Sequence, residues 1–296
     1  MKIIDKINNY LTNPHIPDKR GRFAHYPSEA SIISRIDGSI IGKCHRASWY
    51  SWTGVQQTNL IDARGMWTVE TGKKIEGSYI EYCKQLGIWA GNNIKFYNRE
   101  HNISGEVDLF IFNEDAKIEG VEIKSAYGYG YQKSVTQFPK IENLLQTAIY
   151  IDHFDMLWHL IYKARDTQED VEYIITKEND ENGTYLIVNG IPVYIFYVQD
   201  IYMRYKELGE HVIKNEIPPR DYVYGFSPEQ TVHRLDNGKI SRSKYKNIKA
   251  GKCVDADWEC VYCSYLNECW KDKIEIIRRE SDNAESEHEY NDIGSK

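Results

Sequence analysis

The chain has 296 residues, of which 41% are hydrophobic and 27% are charged, which is enough to build the core of one large domain or two small ones. Its formal net charge of −7 argues weakly against a nucleic-acid partner. The charge is uneven, because six acidic residues and one lysine between Glu280 and Lys296 contribute −5, and the rest of the chain is nearly neutral. No apolar run is long enough to span a membrane, and the N-terminus lacks the apolar core of a signal peptide, so we expect a soluble, cytoplasmic protein.

The first third of the chain is predicted to be mainly helical. Residues 1–12 are typical of an amphipathic helix and residues 13–30 of a loop, while Ser28 is placed to cap a helix that runs through Ile33. A helix is predicted to open at Cys44, and a long one, containing Glu76, is predicted over 66–87 from its apolar spacing.

The segment 38–44, GSIIGKC, is similar to a nucleotide-binding phosphate loop but departs from it twice. Three residues rather than four separate its glycines, and Cys44 follows Lys43 where that loop needs serine or threonine. We therefore exclude a nucleotide-binding motor.

The middle of the chain predicts a β-hairpin. Residues 106–112 and 117–125 are two apolar runs, and the polar segment 113–116 between them is typical of a turn. Residues 92–104 are predicted to form an edge strand and a turn before this hairpin.

Three charged side chains of this hairpin are predicted to share one patch. Side chains alternate between the two faces of a strand, so Glu122 and Lys124 lie on one face, and Asp108 on the paired strand can reach them. Two carboxylates and an amine together are suited to binding a hard cation and attacking a phosphodiester. The alternative is a hairpin with ordinary surface charges, but charges in a buried strand are costly unless they are paired or bind metal.

Further helices and strands follow the hairpin. The segment 127–131, YGYGY, is interpreted as a loop, either mobile over a substrate or plain surface. A helix is predicted over 139–152, with Gln146 and Tyr150 four residues apart on one face. The predicted strands are 157–162, 171–176 and 184–188, and the predicted helix is 199–215, ended by Pro218 and Pro219.

A basic run lies between residues 239 and 252. It contains six basic residues and no acidic one: Lys239, Arg242, Lys244, Lys246, Lys249 and Lys252. With Tyr245 among them, this pattern favours phosphate contacts as much as it favours a solvated basic loop.

Six cysteines in a reducing compartment favour metal binding over disulfides. Cys260, Cys263 and Cys269 are close enough in sequence to turn their sulfurs toward one metal or cluster. Zinc sites usually have two close pairs of ligands, so a trio and a distant single cysteine favour a [4Fe–4S] cluster. From spacing alone, Cys44, Cys83, Cys253 and the histidines remain candidates for the fourth position.

Four motifs stand in the order found in the PD-(D/E)XK nuclease superfamily: GKKIE at 72–76, GEVD at 105–108, VEIK at 121–124 and QTAIY at 146–150. The chain resembles the RecB-like branch of this superfamily from about residue 28 to 270. Val107 stands in place of the proline of the superfamily's name. Cys44, followed by Arg46, and the downstream trio resemble the iron–sulfur version of the branch, which includes CRISPR-associated RecB-like exonucleases and the AddB nuclease domain.

The resemblance implies an α/β fold with a restriction-endonuclease-like core, in which helices flank a central mixed sheet. It implies a single nuclease domain over residues 1–277, with an iron–sulfur subdomain built from both chain ends at about 28–50 and 239–270. Residues 278–296 are predicted to be an acidic, disordered tail.

The resemblance also assigns roles to individual residues. The implied ligands of one or two Mg²⁺ or Mn²⁺ ions are Glu76, Asp108, Glu122 and the Ile123 carbonyl. The implied catalytic residues are Asp108, Glu122, Lys124, Gln146 and Tyr150, of which Lys124 would orient the attacking water or stabilise charge, and Gln146 and Tyr150 would support the site and contact DNA. The implied ligands of a structural [4Fe–4S] cluster are Cys44, Cys260, Cys263 and Cys269.

The function implied is a metal-dependent DNA exonuclease acting on DNA with a free end, in repair, recombination or CRISPR-type processing. The residues predicted to contact DNA are Arg242, Lys244, Lys246 and Lys249, and the cluster would lock this basic segment onto the nuclease core. Two alternatives stay open: a catalytically silent DNA-binding subunit of a larger complex, and a zinc protein with a nuclease-like core.

Overall fold

The computed structural model describes residues 2–12 and 24–274. They belong to two compact units. The first unit is drawn from Met1–Lys43 and Ile61–Ile217, and the second from Cys44–Leu60 and Pro218–Lys296. The chain therefore leaves the second unit after one short segment and returns to it only after completing the first.

The first unit is an α/β structure. Its helices are α1 (Ile3–Thr12), α3 (Ala63–Gln85), the one-turn α4 (Gly128–Gly130), α5 (Ile141–Phe154) and α6 (Val198–Lys214). Its strands are β1 (Ser31–Ile33), β2 (Ile40–Gly42), β3 (Trp89–Asn98), β4 (Ile103–Phe112), β5 (Ile118–Ala126), β6 (Trp158–Ala164), β7 (Asp170–Asp180), β8 (Gly183–Val188) and β9 (Ile191–Val193).

Seven strands form one mixed sheet in the order β3-β4-β5-β6-β7-β8-β9. Strands β5 and β6 are parallel, with Glu122 opposite Leu160, and the other neighbours are antiparallel. A parallel pair needs a crossover connection, and α5 supplies it between β5 and β6. The predicted α/β class, with a mixed sheet flanked by helices, is confirmed.

Helices cover the central strands on both faces. On one face, Val121 and Ile123 of β5 pack with Ile80 of α3. On the other face, the buried helix α5 packs its Leu145, Ile149 and neighbours into the larger core. Strand β5 is therefore covered on both sides in its middle, where residues 120–123 are all buried.

The second unit is helical over its described residues. It contains α2 (His45–Trp52), α7 (Pro228–Asp236), α8 (Arg242–Lys249), α9 (Trp258–Val261) and α10 (Leu266–Cys269). Helix α7 begins with a capping box between Ser227 and Gln230, and Ser241 caps α8 by accepting a hydrogen bond from the Lys244 amide at 3.1 Å.

Two predictions about local structure were wrong. The helix predicted from Ser28 through Ile33 is a short 3₁₀ turn (Pro27–Glu29) followed by β1, because Ile32 pairs with Ile41 of β2 and is fully buried. For the basic run, the alternative of a loop is excluded between Arg242 and Lys249, which are helical, while phosphate contact stays a prediction. The predicted loop at 127–131 coils into α4 and a π-helical turn (Tyr131–Val135), which is anchored because Tyr131 and Val135 are buried.

Other predictions fall on parts of the chain that lie outside the described residues. These are the loop over residues 13–23 and the acidic tail over residues 278–296. Among the helices that the structure does describe, none combines the length and the apolar character needed to cross a membrane.

We predict that Gly120→Ala destabilises the first unit. A Cβ atom at Gly120 on β5 would lie 2.3 Å from a ring carbon of Trp158, which is fully buried and stacked on Tyr150. Because this ring has no room to move, overpacking should lower the free energy of unfolding by about 1–3 kcal/mol in chemical denaturation.

The matched control is Gly77→Ala in the middle of α3, where a Cβ atom meets nothing within 4 Å. This change should raise the free energy of unfolding by up to about 1 kcal/mol, because alanine is the better helix former. Equal stability of the Gly120→Ala variant and the wild type would contradict the packing described for β5.

Candidate functional site

The candidate active site lies on β4 and β5. Leu109 pairs with Val121, so Asp108 and Glu122 come next on the two strands. The Asp108 carboxylate accepts a hydrogen bond from the backbone N–H of Ile123 at 2.9 Å. This bond brings Asp108 to the part of β5 that carries Glu122 and Lys124, as the sequence predicts.

The side chains of Glu122 and Lys124 lie on the face opposite Val121 and Ile123, toward α5. The Lys124 ammonium makes an ion pair with the Glu122 carboxylate. It also donates a hydrogen bond to Oε1 of Gln146 on α5 at 3.0 Å. The predicted alternation along β5 is therefore observed.

A hydrogen-bonded chain continues from Gln146 to β4. Nε2 of Gln146 donates to the Tyr150 hydroxyl at 2.9 Å, and this hydroxyl donates to the backbone carbonyl of Glu106 at 3.1 Å. Because Gln146 and Tyr150 are buried, both have few alternative positions. The chain holds the Lys124 ammonium in place from the side of α5.

The buried carboxylates of Asp108 and Glu122 have too few hydrogen-bond and charge partners to compensate both negative charges. Glu122 is 1% exposed, and its Oε2 atom is buried without a hydrogen-bond partner. Burial and the neighbouring Glu122 carboxylate raise the pKa of Asp108 to about 7. Burial alone would lower the pKa of Lys124, but attraction to Glu122 and Asp108 outweighs it and raises that pKa.

Glu76 reaches the same neighbourhood from α3. Burial and repulsion by Asp108 raise the pKa of Glu76, while a hydrogen bond from the Asn93 side chain favours the charged form. The Asn93 amide also donates to the Glu106 carboxylate at 3.0 Å. Asn93 and Glu106 therefore belong to the site although sequence reasoning missed them. Glu106 could have been predicted from the sequence, because it lies two residues before Asp108 and residues two apart on a strand share a face.

Two carboxylates of the site offer oxygen atoms to a divalent ion. The buried, unpartnered Oε2 atom of Glu122 and the mutually repelling carboxylates of Asp108 and Glu122 fit Mg²⁺ or Mn²⁺, which prefer oxygen ligands. Across residues 2–12 and 24–274, however, no three His, Cys, Asp or Glu side chains gather closely enough to share one ion. The structure thus brings Asp108 and Glu122 together but does not bring Glu76 into a three-carboxylate group.

In the second unit, four cysteines line one cavity. Cys44 precedes α2, Cys260 lies in α9, Cys263 follows α9, and Cys269 ends α10. The other walls are mainly aromatic and aliphatic, with one cationic and one anionic side chain, and consist of Ala47, Tyr50, Arg220, Tyr222, Glu259, Leu266 and Trp270. The three C-terminal cysteines lie together because they are close in sequence. Cys44 is distant in sequence and joins them because it directly precedes α2.

The cysteine environment disfavours thiolates that lack a bound cation. Burial, followed by the negative charge of Asp221, raises the pKa of Cys44 to about 11. Burial, with added repulsion from Cys44 and Cys269, raises the pKa of Cys260 to about 12. The Tyr265 amide donates to the sulfur of Cys263 at 3.4 Å. Four cysteines that line one cavity, an amide donor and a nearby arginine suit a cluster in which each iron takes one thiolate, whereas no three of the described ligand side chains could share a single ion.

The other two cysteines lie elsewhere in the described chain. Cys83 belongs to the first unit, where it packs beside Tyr79 and Ile75 in the apolar cluster on α3. Cys253 is exposed on the chain after α8. Of the three cysteines left open for the fourth position by spacing, only Cys44 lines the cavity with the trio.

The predicted DNA-contacting residues occupy α8. Arg242, Lys246 and Lys249 are exposed. Lys244 is half-buried, and its ammonium lies 3.7 Å from the carboxylate of Asp255, which is 1% exposed and also pairs with Arg234 at 3.1 Å. Lys244 therefore helps to neutralise a buried charge, whereas the other three cations are available to solvent.

We predict that Asp108→Asn stabilises the metal-free protein at alkaline pH. Folded Asp108 keeps its proton up to about pH 7, whereas an unfolded aspartate loses it near pH 4. The free energy of unfolding of the wild type should therefore fall as pH rises from about 4 to 7 and then level off. Asparagine removes this loss, so the variant should be more stable at pH 8 by up to about 4 kcal/mol in chemical denaturation with a chelator.

The control is Asp115→Asn on the exposed turn of the same hairpin, which should follow the wild-type pH profile. Adding Mn²⁺ should stabilise the wild type more than Asp108→Asn, because the variant lacks one anionic ligand. Parallel pH profiles for the wild type and Asp108→Asn would show that Asp108 is not protonated by its surroundings.

We predict that Cys44→Ser abolishes cluster binding, whereas Cys83→Ser and Cys253→Ser do not. Only Cys44 lines the cavity of the trio, so its loss leaves three thiolates where a cubane cluster needs four. The measurements are iron and sulfide content and visible absorbance after anaerobic purification. If the Cys44→Ser protein keeps its full iron content and its brown colour, the fourth ligand of the cluster must be another residue.

Comparisons with known proteins add little to this picture. No protein-family model matches the chain, and no curated protein matches it. Four solved chains match, including one described as "Crystal structure of SSO0001", which is 15% identical with a TM-score of 0.46 over 90% of this chain and 95% of that chain. A likeness of this size is too weak to assign a family or a function.

Proposed function

We propose that the protein is a metal-dependent DNA exonuclease of the PD-(D/E)XK type, related to the RecB-like branch. The observation that carries the proposal is the buried Glu122 carboxylate, which has one oxygen without a hydrogen-bond partner. It lies beside the Lys124 ammonium and beside Asp108, whose pKa is raised. Such a group is costly for stability, and perturbed carboxylates near one cation are typical of catalytic sites.

Each residue of this group has a role that follows from its contacts. When bound, a divalent ion would lower the pKa of the attacking water and neutralise charge on the phosphate. Asp108 and Glu122 supply anionic oxygens for that ion, and Ile123 holds Asp108 through its amide. Lys124 offers an ammonium that positions the attacking water or compensates the charge developing on the phosphate.

The helix α5 keeps Lys124 in position. Gln146 accepts a hydrogen bond from Lys124, and Tyr150 links Gln146 to the β4 backbone. Without these partners, Lys124 would occupy several side-chain rotamers. The reaction would then be slower, because even a small displacement of a catalytic group lowers the rate strongly. Gln146 and Tyr150 are thus positioning residues in this proposal, and their contact with DNA stays a prediction.

The cysteine cavity supports a structural [4Fe–4S] cluster in the second unit. Its four sulfurs come from two distant parts of the sequence, so a cluster would hold the short segment at Cys44 against the C-terminal segment. In the same unit, Arg242, Lys246 and Lys249 on α8 offer exposed charge for phosphates of DNA. A zinc ion, the alternative occupant, would leave the protein colourless, but it needs about four ligands around one ion, and the described residues contain no group of three that could share one.

One observation favours the rival function, a silent DNA-binding subunit. Within the described residues, Glu76 does not join Asp108 and Glu122 in a group that could share one ion. Its carboxylate accepts a hydrogen bond from Asn93 instead. A silent subunit would bind DNA through its basic residues without needing the carboxylate pair.

The test is cleavage of end-labelled single-stranded and double-stranded DNA with Mn²⁺ or with EDTA. We expect products released from a free end with Mn²⁺ only. Asp108→Asn, Glu122→Gln and Lys124→Ala should each lower the rate by about 100-fold or more, because each removes charge that acts on the transition state.

The matched control is Glu114→Gln, which removes an exposed carboxylate from the turn of the same hairpin and should cleave at the wild-type rate. DNA binding without cleavage by the wild type would favour the silent subunit. Full activity of Glu122→Gln would overturn the proposed site.

A further inference from the structure

A groove lies between α7 and α8 in the second unit, and its lining is mainly apolar. Its volume is about 440 Å³. The apolar part of the lining consists of Phe226, Pro228, Val232, Tyr245 and Ile248. Val232 is 42% exposed there. Among the described lining residues only Glu229 is acidic, and it accepts a hydrogen bond from the Ser227 hydroxyl at 2.8 Å. The groove therefore offers an apolar surface to a further chain segment.

The α8 side of the groove is basic. Residues three and four apart on a helix are neighbours, so Arg242, Lys246 and Lys249 form one stripe along α8. This stripe adjoins the lining residues Tyr245 and Ile248. Lys249 itself lines the groove, with its ammonium 5.2 Å from the centre of the Tyr245 ring. All three cations are exposed. The apolar lining is therefore bordered by a row of positive charge, the basic stripe.

The described part of the chain ends next to this groove. The Lys273 ammonium donates a hydrogen bond to the Gly225 carbonyl, and the next residue, Phe226, lines the groove. The described residues end one position after Lys273, and the acidic segment, defined as residues 280–296, follows in sequence. An extended chain of about 15 residues reaches roughly 50 Å, so the acidic segment is long enough to cross the groove.

The acidic segment is complementary to the groove in charge and in apolar content. The segment contains six acidic residues and one lysine. Its two large apolar residues, Tyr290 and Ile293, are three positions apart, and the acidic residues around them are Glu287, Glu289 and Asp292. The phosphate backbone of DNA would match only the basic stripe. The acidic segment matches both the stripe and the apolar lining, because it combines carboxylates with apolar side chains.

We propose that the acidic segment docks in the groove between α7 and α8 of its own chain. Tyr290 and Ile293 cover the apolar lining. The carboxylates of Glu287, Glu289 and Asp292 face the basic stripe. Because the segment is tethered close to the groove, docking is an intramolecular step, and weak contacts are sufficient to populate the docked state.

The docked segment also affects DNA binding. Its carboxylates occupy the basic stripe, where phosphates of DNA are proposed to bind, so the segment and DNA exclude each other there. DNA must therefore displace the segment, which weakens the binding of any DNA that makes few other contacts. This effect rests on the proposed function, whereas the docking itself does not.

Carbodiimide coupling tests the docking in the full chain. The reagent joins a carboxylate to an ammonium group in contact with it, and peptide mass spectrometry identifies the joined residues. We expect Lys246 and Lys249 to be joined to carboxylates of residues 287–292, with a lower yield at about 0.5 M salt because exposed charges are screened. In a mixture of isotopically labelled and unlabelled protein, both peptides of a joined pair should carry the same label. Mixed pairs would show that a second copy fills the groove and would overturn the proposal.

Val232→Asp tests the groove itself. A carboxylate on the apolar lining repels the acidic segment, so the yield of joined pairs should fall about 10-fold. The matched control is Val261→Asp on α9, which changes an equally exposed valine outside the groove and should leave the yield unchanged. Tyr290→Ala should also lower the yield, because it removes the larger apolar contact. An unchanged yield in Val232→Asp and in Tyr290→Ala would overturn the docking.

Binding of labelled DNA, followed by fluorescence anisotropy in EDTA, tests the competition without cleavage. The triple variant Glu287→Gln, Glu289→Gln and Asp292→Asn should bind DNA about 10-fold more tightly than the wild type at low salt, because the basic stripe is then uncovered. Val232→Asp should also bind DNA more tightly, since it releases the segment without changing the segment's own charge.

The matched control neutralises three exposed carboxylates on turns of the first unit: Glu114→Gln, Asp115→Asn and Glu181→Gln. It changes the net charge by the same amount but leaves the basic stripe covered, so DNA affinity should rise less than about 2-fold. Equal gains in the two triple variants would overturn the competition. If the wild type binds no DNA, the proposed function and the competition both fail, while joined pairs that Val232→Asp removes would still support the docking.

Discussion

The buried ion pair between Glu122 and Lys124 requires polar partners from the residues around it. It lies on a strand that is covered by helices on both faces, where a charge without partners would be strongly destabilising. One oxygen of Glu122 remains without a hydrogen bond, and the pKa of Asp108 is raised because a second negative charge beside it is unfavourable. The charged groups of the proposed active site therefore lower the stability of the sheet at that place.

The second unit also contains a buried carboxylate. Asp255 is almost fully buried, but Arg234 and Lys244 from two different helices surround it. Two cations therefore pair with this charge, although both carboxylate oxygens of Asp255 are buried without a hydrogen-bond partner. The cysteine sulfurs of the same unit are not compensated in this way, because burial raises the pKa of Cys44 and Cys260 instead of stabilising their thiolates.

Much of the first unit could be predicted from local patterns. The hairpin of β4 and β5, the alternation along β5 and the pairing of Gln146 with Tyr150 all follow from side-chain periodicity. The strand β1 was missed because Ile32 is held by a partner strand and a core that no local signal reveals. The contact of Asn93 with Glu106 was missed for a similar reason, since it depends on the register between β3 and β4. The cavity shared by Cys44 and the trio depends on tertiary packing of α2, so spacing alone left its fourth member open.

The interrupted path of the chain through the second unit has a consequence for synthesis on the ribosome. The segment Cys44–Leu60 emerges early, yet its partners from Pro218 onward emerge only after the whole of Ile61–Ile217. The seven-stranded sheet of the first unit can thus form while the second unit still lacks most of its residues, because domains tend to fold as units during translation. Until then, Trp49, Tyr50 and the sulfur of Cys44, all shielded in the finished protein, have no cover from the later segment. For this chain, the delay between those two segments is a period of vulnerability to aggregation and thiol oxidation.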